Sequence, residues 1–179
     1  KAGRAVATLA GQHLKRVHLE LGGNSALLVL DDVDPDAASS VGAWGSFAHQ
    51  GQVCMTAGRH LVQSGVADAY VEALSTRATR LPVGDPLTGQ VALGPVIDAG
   101  QRDRIHDMVT RSVDAGARLA SGGTYEGLFY RPTVLADVPV TAPAYSEEVF
   151  GPVAPVIRFD SVDDVVILPP GQPVDDAIS

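Results

Sequence analysis

The chain of 179 residues has one cysteine, few aromatic residues, a shortage of positive charge and no long apolar run. A single thiol, Cys54, excludes an intrachain disulfide and a zinc–thiolate cluster. A lone thiol also fits a reducing compartment. No stretch approaches the roughly 18 apolar residues needed to cross a bilayer. The first residues, Lys1 to Ala10, lack the ordered n-region, h-region and cleavage site of a signal peptide. A cytoplasmic protein without membrane contact is the expectation. Lys and Arg total 13 against 21 Asp and Glu, a formal charge of −8. The basic residues are scattered, so a nucleic-acid partner is disfavoured, because phosphate binding needs a positive field. His13, His18 and His106 show no metal-ligand spacing, and no metal is expected. Aromatics make up only 5%, so the core must rest on Val, Leu, Ala and Ile.

What is present is an ordinary globular composition, 45% apolar and 19% charged, in a chain long enough for one core. Residues 2–15 read as a helix with Ala5, Leu9 and Leu14 at helical spacing, and no capping residue precedes them. Val17 to Leu21 alternates at period two and predicts a short strand. Ala26 to Leu30 is continuously apolar, the pattern of a strand buried on both faces of a parallel sheet. Asp34-Pro35 opens a helix to about residue 47 or 49, with Asp34 as N-cap. Gln50 to Cys54 reads as a turn and His60 to Gln63 as a strand. Helices are predicted over 66–79 and 98–115, and strands over 118–120, 130–135 and 153–159. Strands alternate with helices, which defines an α/β class with a largely parallel sheet flanked by helices.

Three places could carry chemistry. Cys54 follows a Gly-Gln turn that can present sulfur and backbone N–H to a ligand; the alternative is a small buried core residue. Glu20 lies between Leu19 and Leu21, where partial desolvation would suit a general base; the alternative is an outward-facing strand glutamate. Glu147-Glu148-Val149-Phe150-Gly151-Pro152 combines two carboxylates, a ring and a sharp turn. It could bind ribose hydroxyls or a metal, do acid–base work, or be a solvated loop. His49 and His60 flank Cys54, but neither has an obvious orienting acid for a cysteine–histidine dyad. No G-x-G-x-x-G dinucleotide fingerprint occurs.

Together the motifs Leu19-Glu20-Leu21-Gly22-Gly23-Asn24, Gly51-Gln52-Val53-Cys54 and Glu147-Glu148-Val149-Phe150-Gly151-Pro152-Val153 resemble the aldehyde dehydrogenase superfamily, in order and separation: 34 residues from Glu20 to Cys54 and 94 from Cys54 to Glu148. The resemblance covers about residues 1–165. The stretch His49 to Thr56 is similar to the branch that oxidises aromatic aldehydes such as benzaldehyde or vanillin.

The resemblance implies NAD(P)-dependent oxidation of a small-molecule aldehyde. In that reading Cys54 is the nucleophile and Glu20 the general base. Glu148 is a ligand of the nicotinamide ribose, Phe150 packs near the nicotinamide, and the Leu21 backbone lies near its carboxamide. It also implies a parent that is a homodimer or homotetramer, and a catalytic domain truncated at both ends. The family's amino-terminal cofactor domain, with its oxyanion asparagine, has no counterpart here. Beyond about Val165 the resemblance stops, and a disordered Pro-rich tail is expected over 166–179. An inactive fragment, or a weak cysteine esterase without cofactor turnover, are the alternative readings.

Overall fold

The computed structural model describes residues 2–167, so nearly all of the anticipated Pro-rich tail lies outside the described residues. The chain is a two-face α/β sandwich built on a five-stranded sheet. The helices are α1 (Ala2–Gln12), α2 (Pro35–Phe47), α3 (Ser64–Arg80), α4 (Ala99–Asp114), α5 (Pro143–Ser146) and α6 (Val162–Ile167). The strands are β1 (Ser25–Val29), β2 (Ala57–Gln63), β3 (Arg118–Ser121), β4 (Tyr125–Glu126), β5 (Phe129–Tyr130), β6 (Thr133–Ala136) and β7 (Val153–Phe159). Sheet order is β1-β2-β7-β6-β3, and β4 pairs with β5 in a separate hairpin. β1, β2, β7 and β6 are parallel, while β3 closes one edge antiparallel to β6.

Period-two alternation sends successive side chains to opposite faces. On β7, Val153, Ile157 and Phe159 join the core formed with α4 and α5 (Ile105, Met108, Val109, Tyr145). Ala154 and Val156 join the core formed with α2 and α3 (Phe47, Tyr70, Val71, Leu74). Leu61 and Val62 on β2 divide in the same way. The helix starts follow their caps: Asp34 accepts from the Asp36 N–H at 3.1 Å, and Asp98 from the Gln101 N–H at 2.8 Å.

One strand expectation fails, and a second holds for the strand but not for its burial. Residues 15–24 form no strand; Val17 to Leu21 are exposed, and no neighbouring backbone among the described residues pairs with them. A period-two pattern cannot become a strand without a ladder partner. The run after Ser25 does form β1, but as an edge strand and not a doubly buried one: only Val29 is buried, and Leu28 is 45% exposed. The β4–β5 hairpin and α5 were too short to leave a periodic signal.

Candidate active site

Each of the three motifs runs directly into a strand. Gly22-Gly23-Asn24 precedes β1, the Cys54 segment precedes β2, and Glu148 to Pro152 precedes β7. Those strands are adjacent and parallel, in the order β1-β2-β7. Neighbouring strands lie about 4.8 Å apart, so their preceding segments must come side by side. Residues far apart in sequence thus line one cleft, formed by Gly23, Asn24, Gly51, Val53, Glu148 and Phe150 among others.

The Cys54 segment leaves α2 through a tight turn, Ala48–Gly51. His49 (φ 51°), Gln50 (φ 59°) and Gly51 (φ 65°) are all left-handed. Such backbone costs about 1–2 kcal/mol per non-glycine residue, so it must be held by its surroundings. Gly51 is obligatory for a further reason: a Cβ there would collide with the Gly151 carbonyl and sit 2.8 Å from the Ser46 oxygen. This backbone approach seats the thiol segment against the Phe150 loop. Gln52 N–H donates to the His49 carbonyl at 3.1 Å, and the Gln52 side-chain oxygen accepts from Ile97 N–H at 3.1 Å. Thr56 N–H donates to the Val53 carbonyl at 3.0 Å, and its hydroxyl donates to the same carbonyl at 2.7 Å. Cys54 is therefore the second residue of a β-turn and is exposed, not buried in the core. The turn bond uses Thr56 N–H and the Val53 carbonyl and does not engage the Cys54 N–H.

The Glu148–Gly151 segment is held from α4. Arg104 donates to the carbonyls of Glu148 (2.7 Å) and Val149 (2.9 Å), and the Gln101 amide donates to Phe150 (2.7 Å). Phe150 takes φ 52° and is 36% exposed. The half-buried Glu148 carboxylate reaches across to β1's entry and accepts from Gly23 N–H at 3.3 Å. Gly22 makes room for it, since a Cβ there would lie 2.9 Å from the Glu148 Cδ. Asn24 donates from Nδ2 to the carbonyls of Tyr145 (3.1 Å) and Glu147 (3.5 Å). Arg59 donates to the Asn24 carbonyl at 2.6 Å and lies over the Tyr145 ring. Glu147 instead turns to Arg111, at 3.7 Å.

Glu20 and Leu21 sit differently. The Glu20 side chain is 87% exposed and its carboxylate accepts from His18 Nε2 at 3.0 Å. The expected partial desolvation is absent, because no layer of the described structure covers residues 15–23. Leu21 is 59% exposed and leans on α1, where its Cδ2 lies 2.8 Å from the position a Cβ on Gly3 would occupy.

The histidines beside Cys54 form no dyad with it. His60 is fully buried, with Nδ1 at 2.7 Å from the Tyr70 hydroxyl and Nε2 at 2.7 Å from Ser46 Oγ. Burial lowers its pKa from 6.5 to about 4, while the nearby Ala57 backbone acts in the other direction. Arg104, Gln101, Arg59 and the Ser46–His60–Tyr70 group escape sequence reasoning. Arg104 and Gln101 lie on a helix identified only by its apolar stripe, and its polar face gives no hint of the loop it holds. Among the described residues, no group of three or more His, Cys, Asp or Glu could hold a metal ion. No described helix is long and apolar enough to cross a membrane.

This site sits in a chain whose residues 1–168 match the model of the aldehyde dehydrogenase family. The chain belongs to that family. It is 65% identical over 167 residues to a vanillin dehydrogenase of Amycolatopsis sp., covering 93% of this chain and 34% of the relative. It is 48% identical over 168 residues to an NAD(+) benzaldehyde dehydrogenase of Pseudomonas putida, covering 94% and 34%. Among solved structures it is similar to an E. coli NADP dependent enzyme (TM-score 0.88, 37% identity, covering 93% of this chain and 35% of that one). An NAD-dependent aldehyde dehydrogenase from Sinorhizobium meliloti gives TM-score 0.87 at 36% identity, covering 93% and 34%. The chain thus spans about a third of the length of the relatives it matches. These neighbours share an α/β fold with a mostly parallel sheet, and they include both NAD- and NADP-dependent enzymes.

Proposed function

We propose that the protein takes part in oxidation of an aldehyde, aromatic by the names of its relatives, to the carboxylic acid with NAD or NADP. The observation that carries this reading is the convergence of three motifs at the amino ends of three adjacent parallel strands. Cys54 is the nucleophile. Its thiolate adds to the aldehyde carbonyl to give a thiohemiacetal, and the Cys54 N–H donates to the oxyanion. A bound nicotinamide supplies the acceptor for the hydride that leaves this adduct. The product on Cys54 is a thioester.

Glu20 is the base: it takes a proton from water, which attacks the thioester and releases the acid and the thiolate. Its tether supports this role. Glu20 is three residues from Gly23, a span of at most about 10 Å, and the Gly23 Cβ position lies 3.9 Å from the Cys54 carbonyl oxygen. Turning from His18 toward the cleft would also desolvate the carboxylate.

Glu148 would hold the nicotinamide ribose. An ionised carboxylate only accepts, and with one bond given by Gly23 it retains capacity for two ribose hydroxyls. With the cofactor bound, Phe150 would pack beside the ring and the Leu21 backbone would lie near the carboxamide. The exposed apolar residues Val6, Leu9 and Leu14 are a surface that assembly into a homodimer or homotetramer would cover.

The test is acylation by an activated aryl ester, followed by mass spectrometry. It needs no cofactor, because ester and aldehyde both lead to the same thioester. One acyl group is expected at Cys54, none in Cys54→Ala, and an adduct that persists at least about 100-fold longer in Glu20→Gln. Reaction no faster than a free thiol would remove the catalytic reading. The exposure of Cys54 favours a second reading, a slow cysteine esterase; ester turnover is common to both, and formation of reduced nicotinamide from aldehyde and NAD or NADP separates them.

A further inference from the structure

We propose that His60 is a positioning residue for Cys54, acting through the Ser46 hydroxyl that closes the neck of the thiol-bearing loop. The inference rests on the reading of Cys54 as nucleophile. The loop departs from the end of α2 and re-enters the fold at Ala57, the first residue of β2. Ser46 Oγ donates to the Ala57 carbonyl at 2.8 Å, which ties the two ends together.

A hydroxyl has one proton to give. With that proton on Ala57, Ser46 must accept from His60 Nε2 at 2.7 Å. Nε2 therefore carries the imidazole proton, and Nδ1 accepts from the Tyr70 hydroxyl at 2.7 Å. The bonds run in one direction, Tyr70 to His60 to Ser46 to Ala57, and Ser46, His60 and Tyr70 are all 0% exposed. The chain of bonds reaches from α3, by way of His60 on β2, to the end of α2 on the same face of the sheet. Gly42 leaves the necessary space, since a Cβ there would lie 3.0 Å from His60 Cε1 and collide with the Tyr70 hydroxyl.

This knot does more than fill the core, because the loop it closes is strained. Three consecutive residues, His49 to Gly51, are left-handed. Without a fixed neck, relaxation of that turn would carry Cys54 away from Gly23 and Glu148. An apolar residue at position 60 would preserve core volume yet leave the Ser46 hydroxyl free to rotate off Ala57. A glutamine could still donate to Ser46.

The experiment compares His60→Leu and His60→Gln with the parent, all as the full chain. Amide hydrogen exchange is read over residues 52–56 and, as an internal standard, over β7. Aryl-ester acylation at Cys54 is read on the same samples. In His60→Leu we expect exchange over 52–56 to rise at least about tenfold relative to β7, and acylation to fall about 10- to 100-fold. His60→Gln should recover both to within about threefold. If exchange over 52–56 rises only in step with β7, His60 is a core residue and the proposal is overturned. If His60→Leu does not fold, Tyr70→Phe, which keeps the ring, decides by the same ratio. A parent chain that is never acylated would defeat the nucleophile reading, while the exchange ratio would still report on the neck.

Discussion

The segment bearing Cys54 and the segment bearing Glu20 are held in opposite ways. The first is fixed at both ends: α2 and β2 flank it, Ser46 closes its neck, and Gly51 presses against Gly151. The second is anchored where Gly23 and Asn24 enter β1, with Leu21 leaning on α1; residues 11–23 are exposed throughout. The position of Cys54, the proposed nucleophile, is thus specified by contacts inside the described fold. Glu20, the proposed base, is on a short tether and is exposed. Stability and chemistry should separate between anchors and exposed side chains: substitutions at the anchors of either segment, such as Gly51 or Asn24, should affect stability, whereas those at the exposed Cys54 and Glu20 should affect only chemistry.

The largest effect should be Cys54→Ala, which is expected to abolish acylation by mass spectrometry. Because the residue is exposed, thermal unfolding should shift by less than about 0.5 kcal/mol. A large stability loss would mean that the thiol is part of the packing after all.

Next is the pH dependence set by His60. Its folded pKa of about 4 lies below the ordinary 6.5 because burial disfavours the imidazolium. Between those values the unfolded chain binds a proton that the folded chain refuses. The contribution is therefore complete above pH 6.5 and is lost as pH falls toward 4. The loss should reach about 3 kcal/mol in urea unfolding. The pH slope over that window should flatten in His60→Gln; an unchanged slope would assign the pH dependence to other groups.

Gly51→Ala should cost about 2 kcal/mol or more, from left-handed backbone and collision with Gly151. Asn24→Ala removes the bonds to Tyr145 and Glu147, and should cost about 1–2 kcal/mol. It should also weaken the placement of Glu148. Smallest is Glu20→Gln, whose effect on unfolding should stay within about 0.5 kcal/mol, since its side chain is 87% exposed. A greater loss there would erase the contrast between the two segments.

The sequence was most informative where a pattern had a local cause. Asp34-Pro35 and Asp98 mark helix starts because capping is a matter of a few adjacent atoms. The apolar face Ala67, Tyr70, Val71 and Leu74 emerges buried, as helical spacing requires. Family membership followed from three motifs in register. Val17 to Leu21 misled, because alternation describes a strand's faces and says nothing about whether a partner is available. Ala26 to Leu30 misled for a related reason: an apolar run does not show that both sides are covered. The links from Arg104 to the Glu148 loop and from His60 to Ser46 span 44 and 14 residues and leave no pattern of their own.

The arrangement at the amino ends of β1, β2 and β7 bears on how the gene can change. The site is specified by which strands are neighbours and by the register between them, not by the lengths of chain connecting them. Extra residues at an open surface point such as Gly89 or Gly127, where even a Cβ would meet nothing within 4 Å, would lengthen the path from Cys54 to Glu148 without moving either. A single deletion between Cys54 and His60 would be far more damaging, because it would pull the thiol out of line with its neighbours. Length variation among homologous chains should accordingly gather between these motifs and spare the few residues on either side of each.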